Sequence, residues 1–288
     1  MSNYQILIAD SGATKTDWCL LQQGKIIYRF NTKGISPVFQ SENEIAEEIA
    51  NHVFPQLKDK MPDAIYFYGS GCIPEKIGSV KRAIQSSFSI DTIEVYSDLV
   101  AAAHSLCGSE PGIACILGTG SNSCEWNGRE ITNQVSPLGF ILGDEGSGAS
   151  MGKLLVGDVL KNQLPKGLKE KFLEQYSLTP AIIIENVYRK PFPSRFLAGI
   201  TPFLLQNIEN EAVKEIVEKS FADFFHRNVM QYNYKTNEVN FVGSIAYYYA
   251  DILHEVAQKE GITIGKINQS PMEGLVEYYK SKTLLNKN

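Results

Sequence analysis

The sequence predicts an α/β protein of two related halves. Three observations predict it. Short apolar, β-branched runs alternate with helical patterns along the chain. A strand, a small-residue turn and a hairpin open the chain, and the same series returns near residue 112. The length, 288 residues, suits one large domain or two ordinary ones.

Each element has a local cause. Tyr4 to Ala9 reads as a strand, Asp10-Ser11-Gly12-Ala13-Thr14-Lys15-Thr16 as a turn, and Asp17–Leu21 and Ile26–Phe30 as two more strands. Ser41 with Glu44 forms a capping box before Ile45, Ile49, Val53 and Phe54 at helical spacing. Ala64–Tyr68 is a strand ending in Gly69-Ser70-Gly71. Pro74–Phe88 is a helix with Ile77, Val80, Ile84 and Phe88 on one face. Thr92–Tyr96 is a strand, and Leu99–Leu106 an Ala-rich helix. The order βββαβαβα calls for a mixed sheet covered by helices.

The second half repeats the opening. Gly112–Leu117 is a strand and Gly118-Thr119-Gly120-Ser121-Asn122 a turn. Cys124–Trp126 and Glu130–Val135 are strands joined by a tight Asn127-Gly128 turn. Helices run to about residue 234, one of them from Ala149 to Leu160. Val239–Val242 is a strand, Ile245–Lys259 a helix, Ile262–Ile267 a strand and Met272–Lys280 the last helix. Asn286-Lys287-Asn288 is expected to fray. The Gly108–Gly112 segment is the best boundary, giving domains 1–111 and 112–288, the second with helical insertions. It stays open whether the last helix packs back on the first domain. The two halves are expected to face each other across a cleft.

Composition narrows the function. The chain is 43% hydrophobic and 20% charged, which excludes a disordered chain, a collagen and a small disulfide scaffold. A formal net charge of -5 argues against a nucleic-acid partner. Five Cys without Cys-x-x-Cys spacing, most in apolar segments, fit reduced thiols and a cytoplasmic protein. The residues up to Asp10 are too short and too acidic for a signal peptide, and no run is long enough to span a membrane. The four His are scattered, and no Gly-x-Ser-x-Gly elbow occurs.

The turns carry the chemistry. Backbone N–H groups of Asp10–Thr16 can cradle phosphate oxygens, with hydroxyls from Thr14 and Thr16. Asp10, at the strand end, can orient a hydrated Mg²⁺. An ordinary hairpin explains one such turn as well, but two that open the two halves are far more specific. Gly118–Asn122 is neither a dinucleotide fingerprint nor a P-loop. Asp98, between strand and helix, is either a helix cap or a general base. Gly139 to Gly148 sets Asp144 and Glu145 among glycines, as a sugar-binding loop or a capping turn. Gly243-Ser244 opens a helix whose backbone can approach a nucleotide. Tyr247-Tyr248-Tyr249 reads as helix surface with polar tips.

Taken in order, these motifs resemble the N-acetylglucosamine kinase family, within the BadF/BadG/BcrA/BcrD ATPase group of the actin, sugar kinase and Hsp70 superfamily. The resemblance runs from residue 6 to about residue 250. It implies two ribonuclease H-like domains of βββαβα type around a central cleft, and an ATP- and Mg²⁺-dependent kinase. The acceptor would be an amino sugar, N-acetylglucosamine first, at its 6-OH.

By motif, Gly12, Thr14, Lys15, Thr16, Gly118, Thr119 and Gly120 would serve the ATP phosphates, and Gly243 and Ser244 the adenosine. Asp10 would serve the metal. Asp98 would be the base and a sugar ligand. Ser36, Ser121, Asn122, Gly139, Asp144 and Glu145 would complete the sugar site.

Two departures stand at sugar positions. Pro137-Leu138-Gly139 replaces the Gly-Trp-Gly of the animal kinases. Gly34-Ile35-Ser36-Pro37-Val38 lacks their Asn. The Cys/His zinc motif of the ROK kinases is missing, which argues against that branch. Other readings are an ATP-driven, iron–sulfur activator of a radical dehydratase, which needs Cys ligands, and a non-catalytic sugar sensor. The expected partners are the sugar and ATP, with a homodimer left open.

Overall fold

The computed structural model describes residues 4–12, 14–58 and 60–285, the last three without side chains. Ala13 of the first turn and the tripeptide Asn286–Asn288 lie outside them. The chain forms two compact units, Met1–Gly108 with Pro271–Asn288, and Ser109–Ser270.

In the first unit, strands β1 (Gln5–Ser11), β2 (Lys15–Gln22) and β3 (Lys25–Lys33) form the meander. Helices α1 (Glu42–Glu48) and α2 (Phe54–Leu57) follow, then β4 (Ala64–Gly69), α3 (Pro74–Gln85), β5 (Thr92–Ser97) and α4 (Asp98–Leu106). The sheet order is β3-β2-β1-β4-β5, with β1 antiparallel to β2 and parallel to β4. Central β1 is apolar on both faces, because helices cover both. Leu7 and Ala9 join the core that holds Ile45, Ile49 and Ile84, whereas Ile6 and Ile8 face the opposite core.

The Ser41–Glu44 capping box is present. The helix it starts does not run on uniformly. Residues Ile49–Val53 form a π turn before α2. Pro55 lacks the N–H that would continue the ladder, so the turn widens there. Phe54, expected on the apolar face, stays 37% exposed and meets the core only edge-on, at Phe88.

The second unit repeats the plan. It holds β6 (Pro111–Leu117), β7 (Ser121–Asn127), β8 (Ile131–Asn133), β9 (Val239–Val242) and β10 (Ile264–Asn268). Their order, β10-β9-β6-β7-β8, is that of the first sheet, with β6 in the place of β1. The helices are α5 (Gly139–Leu142), α6 (Gly148–Leu160), α7 (Leu168–Gln175), α8 (Pro180–Tyr188), α9 (Pro193–Gly199), α10 (Pro202–Gln206), α11 (Glu211–Arg227), α12 (Ser244–Tyr248) and α13 (Ala250–Lys259). Phe221, Phe224, Phe225 and Tyr232 lie in its core.

Four expectations need correction. The third strand of this half spans only Ile131–Asn133. Its hairpin turns on Gly128 and Arg129, because the Asn127 side chain accepts from the Arg129 and Glu130 N–H groups. The helix expected from Ile245 to Lys259 breaks at Tyr249, and Tyr249 is not surface. Its ring is buried, with the hydroxyl on the Thr201 carbonyl at 2.7 Å.

The last helix, α14 (Met272–Leu285), belongs to the first unit. Met272, Leu275, Val276, Tyr278 and Tyr279 pack there against Ile6, Ile8, Cys19 and Leu21. A polar tie locks it in place. The Tyr68 hydroxyl bonds Tyr279 Oη at 2.6 Å and His104 Nδ1 at 2.8 Å. His104 stacks on Tyr278. Burial pushes its imidazole down to about 3, so it is neutral at physiological pH. Among the described residues, no helix is long and apolar enough to cross a membrane.

Candidate active site

The predicted site residues of the first unit gather at the C-terminal ends of β1, β4 and β5, where parallel strands leave a crevice for ligands. Asp10 is the penultimate residue of β1 and pairs in register with Asp17 on β2 and Tyr68 on β4. Burial raises its pKa to about 7, and the charges of Asp17 and Asp98 add to the rise while Lys15 opposes it. Arg29 grips Asp17 through both oxygens, at 3.1 and 2.6 Å, and reaches Glu273 of α14 at 3.0 Å.

Asp98 is the first residue of α4, and it is not the cap. Ser97 takes that role, accepting from the Val100 N–H at 3.3 Å. The Asp98 carboxylate lies beside it, over the N–H groups of the first turn. Burial pushes it up to about 6, against the pull of the N–H groups of Leu99 and Asp98 itself. Cys72 lies close enough to feel this charge. Burial first, then Asp98, raises its thiol to about 12.

The first turn divides into an outer and an inner side. Gly12, Thr14 and Lys15 are exposed. Thr16 is fully buried, and its hydroxyl donates to the Lys33 carbonyl at 3.1 Å. It also meets Ser11 Oγ, which bridges to both the carbonyl and the N–H of Ile35. Thr16 therefore braces the turn from inside and does not stand with Thr14. Ser36 is buried as well, with Oγ 3.2 Å from the Ser70 carbonyl and its N–H on Gln40. A Cβ at Gly71 would lie 2.6 Å from Val38 and 3.1 Å from Ser36 Oγ, so glycine lets this loop close.

The second unit builds one block around Gly118–Gly120. The Gly118 and Thr119 carbonyls accept from the Gly148 and Ala149 N–H groups at the start of α6, at 2.8 and 3.0 Å. Ser147, not a carboxylate, caps that helix. Gly243 has φ +124°, and a Cβ there would lie 2.3 Å from the Leu117 carbonyl oxygen. The structure thus brings Gly243 and exposed Ser244 against the turn that carries exposed Thr119. Asp144 accepts from the Ser121 N–H at 3.3 Å, lies beside Gly120, and donates its own N–H to Pro137. Burial raises its pKa. Gly139 stands at the exposed start of α5. Asn122 accepts from Gln134. Glu145 stands apart from its neighbour, paired with Arg227 at 2.7 Å.

Sequence reading missed the braces: Ser11, Asp17, Arg29, Ser70 and Arg227. One signal was available. Asp17 shares the face of Cys19 and Leu21 in a strand, and an inward carboxylate needs a cation such as Arg29.

No protein-family model and no curated protein matches the chain. Solved structures do. A Porphyromonas gingivalis protein described as "Putative N-acetylglucosamine Kinase" is 51% identical, with TM-score 0.94, over 96% of this chain and 99% of that one. One of the same description from Chromobacterium violaceum is 15% identical, with TM-score 0.74, over 96% and 98% of the two chains, and shows the fold. So does a ROK family glucokinase from Streptomyces griseus in complex with glucose and AMPPNP, at 13% identity, TM-score 0.55, and 94% and 97% coverage. Sharing half its residues with the P. gingivalis protein over almost all of both chains, this protein belongs to the N-acetylglucosamine kinase family, among the sugar kinases of the actin-like ATPase fold.

Proposed function

We propose that this protein is a cytoplasmic ATP- and Mg²⁺-dependent kinase of the BadF/BadG/BcrA/BcrD group. It transfers the γ-phosphoryl group of ATP to the 6-OH of an amino sugar, N-acetylglucosamine first. The two units are read as its two ribonuclease H-like domains. The observation that carries this reading is Asp98, a buried carboxylate at the end of β5 whose charge reaches Asp10 at the end of β1. A midpoint near 6 leaves it ionised at neutral pH yet basic enough to take a proton.

Asp98 accepts the proton of the sugar hydroxyl as its oxygen bonds to the γ-phosphorus. The bond to the β–γ bridging oxygen breaks, and ADP leaves. Most of the acceleration is positioning and charge stabilisation. Gly12, Thr14, Lys15, Gly118, Thr119 and Gly120 serve the phosphates, and Gly243 and Ser244 the adenosine. Ser36, Ser121, Asn122, Gly139 and Asp144 orient the sugar. Glu145, tied to Arg227, steadies the loop that carries Asp144.

Mg²⁺ fits the residues present. Asp10, in an excess of negative charge that a divalent cation would relieve, would hold it. Bound there, the metal would neutralise charge on the phosphates.

The iron–sulfur alternative, which needs gathered Cys ligands, loses support, since among the described residues no three Cys, His, Asp or Glu side chains come together to hold a metal. The test is ADP release against a panel of amino sugars. Release that depends on N-acetylglucosamine supports the reading, and ATP hydrolysis indifferent to every sugar defeats it.

A further inference from the structure

Two aromatic rings in the second unit have no role in the function above. Tyr247 and Tyr248 occupy the last turn of α12, and they are 48% and 55% exposed. A single exposed ring needs no explanation. These two, however, are held. They pack edge-to-face, with centroids 5.4 Å apart at 83°. The Tyr248 hydroxyl accepts from Gln269 Nε2 at 2.9 Å, so a second segment, after β10, pins the ring.

Their place along the helix gives them a use. Tyr248 stands four residues after Ser244, on the same exposed face and about 6 Å further along the axis. Gly243, where the helix begins, lies against the backbone of Leu117 and Gly118. With Gly118–Gly120 at the phosphates and Gly243–Ser244 at the adenosine, as proposed above, Tyr248 stands one turn further along the same exposed face.

We propose that Tyr248 is the stacking platform for the nucleotide base, with Tyr247 as its edge-on brace. This rests on the nucleotide site of the proposed function. A π-face accepts any base, so the platform selects a nucleoside triphosphate over a bare triphosphate without choosing adenine over guanine.

The experiment compares binding of ATP, GTP and base-free tripolyphosphate, each with Mg²⁺, to wild type, Y248A, Y248F and Y248W. Y248A is expected to bind ATP and GTP about 5- to 150-fold more weakly, the loss of one base–aromatic stack. Its affinity for tripolyphosphate and its KM for the sugar stay at wild-type values, and Y248F and Y248W stay within about threefold of wild type for ATP. Y248A binding ATP as wild type does overturns the platform. So does an equal loss for tripolyphosphate, which marks a ring that only supports the fold. A wild-type protein that binds none of the three overturns the nucleotide site itself, a separate result.

Discussion

Asp98 shows how one residue sets activity against stability. Its folded pKa of about 6 lies above the ordinary carboxylate value of 3.8. A raised carboxyl stabilises the fold below its unfolded pKa, and that contribution is lost as pH rises through 6. The shift corresponds to about 3 kcal/mol. Catalysis has the opposite sign, because the base must be ionised. We expect Asp98→Asn to cut turnover by about 10²–10⁴ while ATP still binds. Its melting temperature should exceed that of wild type at pH 8, with the gain gone near pH 4. Equal melting curves at pH 8 would sink this electrostatic account. In wild type, log kcat/KM should rise with pH and level off above about 6. Gly243→Ala is a second test. Its Cβ would meet the Leu117 carbonyl oxygen at a φ only glycine tolerates, so a loss of about 1–3 kcal/mol and weaker ATP binding are expected by thermal melts with and without ATP. The sequence showed Asp98 and Gly243 because both sit at strand-to-helix turns. It could not show that Ser97 rather than Asp98 caps the helix, or that Thr16 points inward, since both depend on side-chain direction.

At the scale of elements, α4 is the one to perturb. Ser97→Ala removes the bond to the Val100 N–H and should cost about 1 kcal/mol. In a chain of this size that lowers the melting temperature by roughly 2–4 °C. It should also lower kcat, because Asp98 rides on the first turn. Ser97→Thr is expected to restore both, and a kcat drop without a melting shift would separate the two effects. Elements with strong local causes were legible. The Ser41 box, the Val239–Val242 strand and the repeated meander all appear where pattern and turn chemistry agree. The misses share a different cause. The break at Tyr249 has no Pro or Gly to announce it, and a buried hydroxyl reaching Thr201 accompanies it. The π turn before Phe54 was foreshadowed only by Pro55.

On the scale of the whole molecule, the duplicated sheet order was legible because the two halves share one series of strands and turns. The home of α14 was not, since an amphipathic helix does not name the face that will cover it. Its five core residues complete the apolar face of β1 and β2 in the first unit. Residues 1–108 expressed alone are therefore expected to lack a cooperative melting transition, and joining 271–288 through a short linker should restore one. Calorimetry of the two fragments decides it. The same helix sets a clock on biosynthesis. At about 5–20 residues per second, synthesis of the second unit takes roughly 10–30 s. Through that interval Ile6, Ile8, Cys19 and Leu21 have emerged while the helix that buries them has yet to be made. The first unit to be translated is thus the last that can finish folding, and its uncovered sheet is where a nascent-chain chaperone would bind.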